Sequence, residues 1–384
     1  MKKTVIKVLS YVLVALLSCG VTLGVVALSV QNEQSKLEQL ESLIDQVFIG
    51  DADHGALEDA AANAMVDALG DRWSYYMTAQ EYLSYKEQMA NAYVGIGITV
   101  QLRQDGTGID VTQVTAGGPA QEAGVLAGDV IVAVEGQSVA GMALADVSAM
   151  IKGEAGTRVR ITVLRDDQRT ELTVERRQIQ TAVATGTMLE GNIGLVKIVN
   201  FDSRCAEETI AVIESLCKQG AGKLIFDVRY NPGGYKKELV EVLDYLLPKG
   251  LLFRSEYYDG TVIDDDSDAD CLSMPMAVLV NGSSYSAAEF FAAALRDYDW
   301  ATVVGTQTCG KGYFQNSYEL KDGSAVAISI GKYYTPKGVS LAEVGGLTPD
   351  IVVEVDDETA AAIYAGSMDP MKDPQILAAI EALK

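Results

Sequence analysis

Histidine is nearly absent from this sequence: His54 is the only one. That count argues against the His-based zinc sites of metalloproteases and leaves a Ser-His-Asp triad one possible base. Cysteines are few (Cys19, Cys205, Cys217, Cys271 and Cys309), and none has C-x-x-C spacing. They imply neither zinc nor a dense disulfide framework, and whether they pair is not legible from spacing. Positive charge is also short, with 30 Lys+Arg against 53 Asp+Glu and a formal charge of −23. Such a surface repels phosphate backbones, so nucleic acid is not an expected partner. Apolar residues are abundant instead: 48% are hydrophobic and 22% charged, and 384 residues exceed one compact core.

Lys2, Lys3 and Lys7 precede an uncharged, largely apolar run over 8–30. The run matches the roughly 20 residues needed to cross a bilayer and exceeds the apolar core of a cleaved signal peptide, about 7–15 residues. Residues 1–30 therefore read as a signal-anchor, with cleavage after Ala27-Leu28-Ser29 as the alternative. Leu16-Leu17-Ser18-Cys19 is a poor lipoprotein box because the chain stays apolar beyond it. Basic residues remain on the cytoplasmic side. The expectation is a single-pass protein of the plasma membrane with its body extracytoplasmic.

The body divides by texture. Residues 31–92 form an N-terminal helical region: Leu37, Leu40, Leu43, Ile44, Val47 and Phe48 fall at helical spacing, and a second helix spans about 57–69. This is either a cap on the body or, through its apolar stripe, a homodimer contact. Residues 93–178 switch to short strands with glycine punctuation, at 94–100, 109–114, 130–134, 158–164 and 170–175, with a helix over 144–152. That pattern predicts a small β-barrel. From 179 to 365, strands at 193–198, 223–228 and 276–280 alternate with helices, which predicts an α/β core with reactive groups at strand-to-helix turns. Residues 366–384 form a C-terminal helical tail. Asp264, Asp265, Asp266, Asp268 and Asp270 lack the glycine and glutamate of a calcium loop and are expected in a solvated loop.

Three turns in the α/β part can carry chemistry. Asn231-Pro232-Gly233-Gly234 follows a buried strand, and its glycines let backbone N–H groups face an oxyanion; alone, it is equally an ordinary turn. Ser286 and Glu289 fit a capping box, so Ser286 either caps its helix or uses the positive helix end to favour an oxyanion beside it. Lys311, between Gly310 and Gly312, is either a solvated cation or a base for Ser286. The latter role needs burial to lower its pKa. With one histidine available, Ser–Lys is the dyad this composition most readily permits.

Taken together and in order, these segments resemble the C-terminal processing (tail-specific) proteases, serine–lysine peptidases that carry a PDZ domain. Asp71-Arg72-Trp73-Ser74-Tyr75-Tyr76 resembles the family's D-P-x-S-x-Y, and 227–234 its D-x-R-x-N-P-G-G. Lys332-Tyr333-Tyr334-Thr335-Pro336 and Gly346-Leu347-Thr348-Pro349-Asp350 resemble its closing motifs. The resemblance implies a crotonase/ClpP-like α/β catalytic core with an inserted PDZ β-barrel, and no metal or organic cofactor. It implies Ser286 as nucleophile, Lys311 as base and Gln315 as the residue orienting Lys311. Backbone N–H groups of Gly233, Gly234 and Ala287 would form the oxyanion hole; Asp297 occupies a position that also matters in some members, with simple support of its helix as the alternative. In the PDZ domain it implies that Val94, Gly95, Ile96, Gly97, Val147 and Ile151 receive a peptide C-terminus. Tyr285, Ala288 and Cys309 depart from the family's usual residues. Cys309 with His54 is a weak rival pair, and a PDZ adaptor that binds tails without cutting is the rival function.

Overall fold

A computed structural model describes residues 35–384. The anchor expected over 1–30 lies outside the described residues; among those described, no helix is long and apolar enough to cross a membrane. Two compact units divide near residue 65. In the first, helix Lys36–Val47 starts at a Ser35/Glu38 capping box, and His54 sits between Glu41 (3.2 Å) and Asp45 (3.1 Å). Both ring nitrogens of the sole histidine are thus paired with carboxylates, led by the Glu41 hydrogen bond, which raises its pKa. Leu37, Leu40, Leu43 and Val47 are exposed.

The second unit, Val66–Lys384, contains the expected β-barrel. Its strands run in the order Ile98–Leu102, Ile109–Val114, Val130–Val134, Arg158–Arg165 and Gln168–Glu175. Alternation along Arg158–Arg165 turns Val159, Ile161 and Val163 into a core shared with Ile96, Ile109, Ile131 and helix residues Val147 and Ile151. The strand expected over 94–100 is broken. Ala92–Gly95 pairs with Arg177–Gln180, whereas Ile98–Leu102 joins the barrel. Gly97, at φ +77°, makes the corner, a conformation that other L-residues rarely adopt.

The α/β core is a six-stranded sheet in the order Ala184–Leu189, Ile193–Ile198, Lys223–Asp227, Met276–Val280, Ala301–Gly305 and Ile351–Val352. All neighbours except the first pair are parallel. Every residue of Met276–Val280 is buried, because both faces of the sheet are covered. Val278 and Val280 pack among helices Cys205–Lys218, Lys236–Leu246 and Ala287–Asp297, while Ala277 and Leu279 meet the terminal helix Pro374–Ala382. The C-terminal tail therefore belongs to this core.

A second sheet was not visible in the sequence. It joins Tyr75–Met77, Ala325–Tyr334, Gly250–Tyr257 and Val262–Ser267, with Tyr313–Glu319 also paired to Ala325–Tyr334. The acidic segment is thus partly strand rather than loop. Asp264 forms a bidentate pair with Arg254 (2.6 and 2.7 Å), and Asp265 holds Lys236 at 2.8 Å. Arg254 across the strand pair and Lys236 at the start of helix Lys236–Leu246 neutralise these carboxylates, and Asp259-Gly260 makes the intervening turn, a hairpin signal that low apolar content masked.

Candidate active site

The strand Met276–Val280 delivers the chain into Asn281-Gly282-Ser283-Ser284-Tyr285. Ser284 Oγ donates to the Val228 carbonyl (2.8 Å) and accepts from Asn281 N–H (3.0 Å), fixing this turn to the end of the neighbouring strand. Ser286 follows at φ 49°, ψ −117°, a sparsely populated conformation for a non-glycine residue. Helix Ala287–Asp297 then begins. The Glu289 N–H bonds the Ser286 carbonyl at 2.8 Å. Ser286 therefore stands at a helix N-terminus, whose partial positive charge favours an oxyanion beside it.

The glycine turn closes against this serine. A Cβ on Gly233 would lie 2.9 Å from Ser286 Cβ and 3.0 Å from Ala287 N, so glycine is required for the approach. Tyr285 N–H donates to the Asn231 carbonyl at 3.0 Å, locking the two turns together. The Gly233 N–H is already donated to Asn231 Oδ1 at 2.8 Å, which corrects its expected place among the oxyanion donors. Phe201 pairs with the Gly233 carbonyl and the Tyr235 N–H, leaving the Gly234 N–H out of that pairing. At Ala287, the first turn of the helix supplies an N–H with no intrahelical acceptor.

Glu289 joins the serine to the lysine. Its side chain is fully buried, yet it accepts four hydrogen bonds: Ser286 N–H (2.9 Å), Lys311 N–H (2.8 Å), Gly310 N–H (2.7 Å) and Thr308 Oγ1 (2.5 Å). One carboxylate thus holds the loops of both residues, and Cys309 N–H adds a bond to the Ser284 carbonyl at 3.3 Å. Burial lowers the pKa of Lys311 from the ordinary lysine value, against the opposing pull of Cys309, Glu289 and Asp71. Trp73 covers the amine, with Nζ 5.0 Å from the ring centroid.

Other expected residues stand elsewhere. Gln315 Nε2 donates to Ser329 Oγ (3.0 Å) and the Tyr313 carbonyl (3.2 Å), not to Lys311. Asp297 lies at the far end of the helix, roughly 16 Å along its axis from Ser286 at 1.5 Å per residue. There it accepts the Lys337 N–H at 3.0 Å, which removes it from the catalytic turn. Cys309, Cys205, Cys217 and Cys271 are free thiols, and burial pushes the Cys309 thiol up. In the PDZ domain, Tyr93, Gly95, Ile96, Gly97, Ile98, Ile151 and Lys152 line a small pocket. Val147 is instead sealed in the core, and Val94 pairs with Gln178, so neither lines it. Sequence reading missed Trp73 and the second half of Glu289's role; the S-x-x-E spacing signalled only the cap.

Asp202 is a buried cost beside the glycine turn. It is 2% exposed, and its Oδ1 has no hydrogen-bond partner among the described residues. Burial, reinforced by Glu238, pushes its pKa up to about 7. The unfolded carboxyl ionises near 4, so the native state holds the extra proton between about pH 4 and 7 and loses stability as pH rises through that window. Asp202→Asn is expected to gain roughly 1–3 kcal/mol at pH 8 and nothing at pH 4. Equal shifts in Tm at the two pH values would contradict an ionising Asp202.

Comparison with known proteins bears on the family and the fold. The peptidase family S41 model matches residues 192–353, and a PDZ domain model matches 111–165. The protein named "Probable CtpA-like serine protease" in Staphylococcus saprophyticus is 31% identical over 328 residues, covering 84% of this chain and 66% of that protein. Its Staphylococcus aureus (strain COL) counterpart is also 31% identical over 84% of this chain, and this chain spans 65% of its length. A solved Bacteroides fragilis chain assigned to the S41 proteases is 16% identical with a TM-score of 0.52, covers 88% of this chain and all of that one, and shares the fold. Together with the serine and lysine turns tied by one carboxylate, these matches show that the chain belongs to the C-terminal processing serine proteases of family S41.

Proposed function

We propose that the chain is a membrane-anchored, extracytoplasmic serine endopeptidase that selects protein substrates by their C-terminal tails. The observation that carries this reading is the Glu289 carboxylate, which fixes the backbones of Ser286 and Lys311 from one buried point. Ser286 Oγ attacks the scissile carbonyl carbon as its proton passes to neutral Lys311. The N–H groups of Gly234 and Ala287 receive the developing oxyanion. The Lys311 ammonium then gives its proton to the departing amine, leaving an acyl-enzyme. Water, deprotonated by the same amine, releases the acid and restores the serine. The apolar run over 8–30 supports the anchor, and its basic flank the orientation.

The PDZ pocket supports tail selection. An extended peptide adds beside the glycine-rich corner, its terminal carboxylate meeting backbone N–H groups, with Lys152 at the same pocket. A cleft of about 980 Å³ lined by Trp73, Gly310, Tyr313 and Gly331 opens beside the lysine loop.

The test is cleavage of a loosely folded protein that ends in an apolar residue. The purified protein is expected to cut it, whereas Ser286→Ala captures the tail and leaves it intact. If the wild-type protein captures tails but cuts nothing, the adaptor reading replaces this one.

A further inference from the structure

The segment before the PDZ domain forms a strap over the base. Tyr75–Met77 pairs antiparallel with Ala325–Ala327, and Ser74 adds a side-chain clasp. Ser74 Oγ donates to Asp71 Oδ2 at 2.6 Å and accepts the Ser329 N–H at 3.0 Å. Ser329 Oγ also receives Gln315 Nε2. The side chain expected to orient Lys311 directly is thus joined to the strap instead.

Trp73 is the residue this clasp presents. Its ring lies 5.0 Å from Lys311 Nζ and meets the Tyr285 ring edge-on at 6.4 Å, spanning both turns. The Arg72 guanidinium is 4.2 Å from the ring centroid and reaches Cys309 Sγ at 3.5 Å, so the ring is clamped from both strands of chain. We infer that Trp73 is a positioning residue for the base: its ring closes the Lys311 site against water and restrains the amine against its face. This rests on the peptidase reading above.

The ring acts on Lys311 in two opposed ways. Excluding water disfavours the ammonium, and burial is the largest influence on this amine. The ring's π-face attracts the ammonium, a smaller effect. Asp71 on the strap, Glu289 on the helix and Cys309 on the lysine loop face the amine with negative charge or the capacity for it. Arg72 and Tyr285 face the ring from either side. Opening the site to water therefore outweighs losing the π-face.

The pH dependence of kcat/KM separates positioning from simple support. Trp73→Ala is expected to move the acid limb upward by about one pH unit, lowering activity roughly tenfold at a fixed pH below it. Trp73→Phe keeps an aromatic roof and returns the limb close to wild type. A second readout needs no turnover. In a Trp300→Phe background Trp73 is the sole tryptophan, since the chain has two. Its emission is expected to change with pH at the midpoint of the activity limb, and Lys311→Met removes that change. A limb unmoved in Trp73→Ala, or Trp73 emission constant across the limb, overturns the inference while leaving the peptidase intact. A wild-type protein without activity overturns the peptidase reading itself.

Discussion

Lys311→Met is expected to lower kcat/KM by roughly 10⁴-fold while leaving capture of C-terminal tails unchanged. The substitution keeps the length and apolar stem of the side chain and deletes only the amine. Burial is retained, so the fold loses little. Without the amine, no other base is built into this turn: His54 is engaged by Glu41 and Asp45 in the first unit, and the buried Glu289 carboxylate is occupied by four donors. The wild-type pH profile carries the same argument. Because burial lowers the Lys311 pKa and the proposed mechanism uses the uncharged amine, activity is expected to rise with pH and level off below the ordinary lysine value near 10.4. A plateau reached only at that value would refute a desolvated base. So would a methionine variant that retained the profile.

Glu289→Gln is expected to cost about 3–5 kcal/mol of stability and to abolish cleavage at temperatures where the variant remains folded. Each carboxylate oxygen accepts two donors: Oε1 takes Thr308 and Gly310, and Oε2 takes Ser286 and Lys311. An amide has one acceptor oxygen. Its NH₂ must replace an acceptor on one side, facing either the Ser286 and Lys311 N–H groups or the Gly310 N–H and Thr308 hydroxyl, and leaves at least one N–H unpaired in a buried site. The serine and lysine turns then lose their common anchor, so activity falls further than the fold does. Thermal unfolding and cleavage measured together test this. A variant that unfolds at a lower temperature but cleaves normally at 25 °C would show that Glu289 supports the fold without aligning the two turns. Thr308→Val removes one donor to Glu289 and also strands the Leu347 N–H that Thr308 Oγ1 accepts at 2.7 Å, so it is expected to cost about 1–3 kcal/mol while leaving the Ser286 and Lys311 N–H bonds to Glu289 in place.

Much of the architecture was open to sequence reading because its signals are local. Helix Lys36–Val47 shows its apolar spacing, Met276–Val280 its unbroken apolar run, and the barrel strands their alternation. The turns that carry Ser286 and Lys311 were legible, since glycine-flanked turns and S-x-x-E spacing survive in one dimension. The second sheet was not, because its partners are distant and mixed in character. Val262–Ser267 carries three aspartates, two of which, Asp264 and Asp265, are neutralised by Arg254 and Lys236 in the fold.

The sequence by itself determined most elements of the barrel and the α/β core, the glycine-flanked turns around Ser286 and Lys311, and an excess of acid that repels phosphate backbones, because propensity, glycine placement and net charge act over a few residues or over the whole surface. Tertiary structure alone decided which donors Glu289 gathers, that the Gly233 N–H is spent on Asn231, that Asp297 accepts the Lys337 N–H and that Trp73 covers Lys311. The reason is that burial and hydrogen-bond pairing are properties of space: a carboxylate or an indole has no fixed role until the chain brings segments far apart in sequence against it.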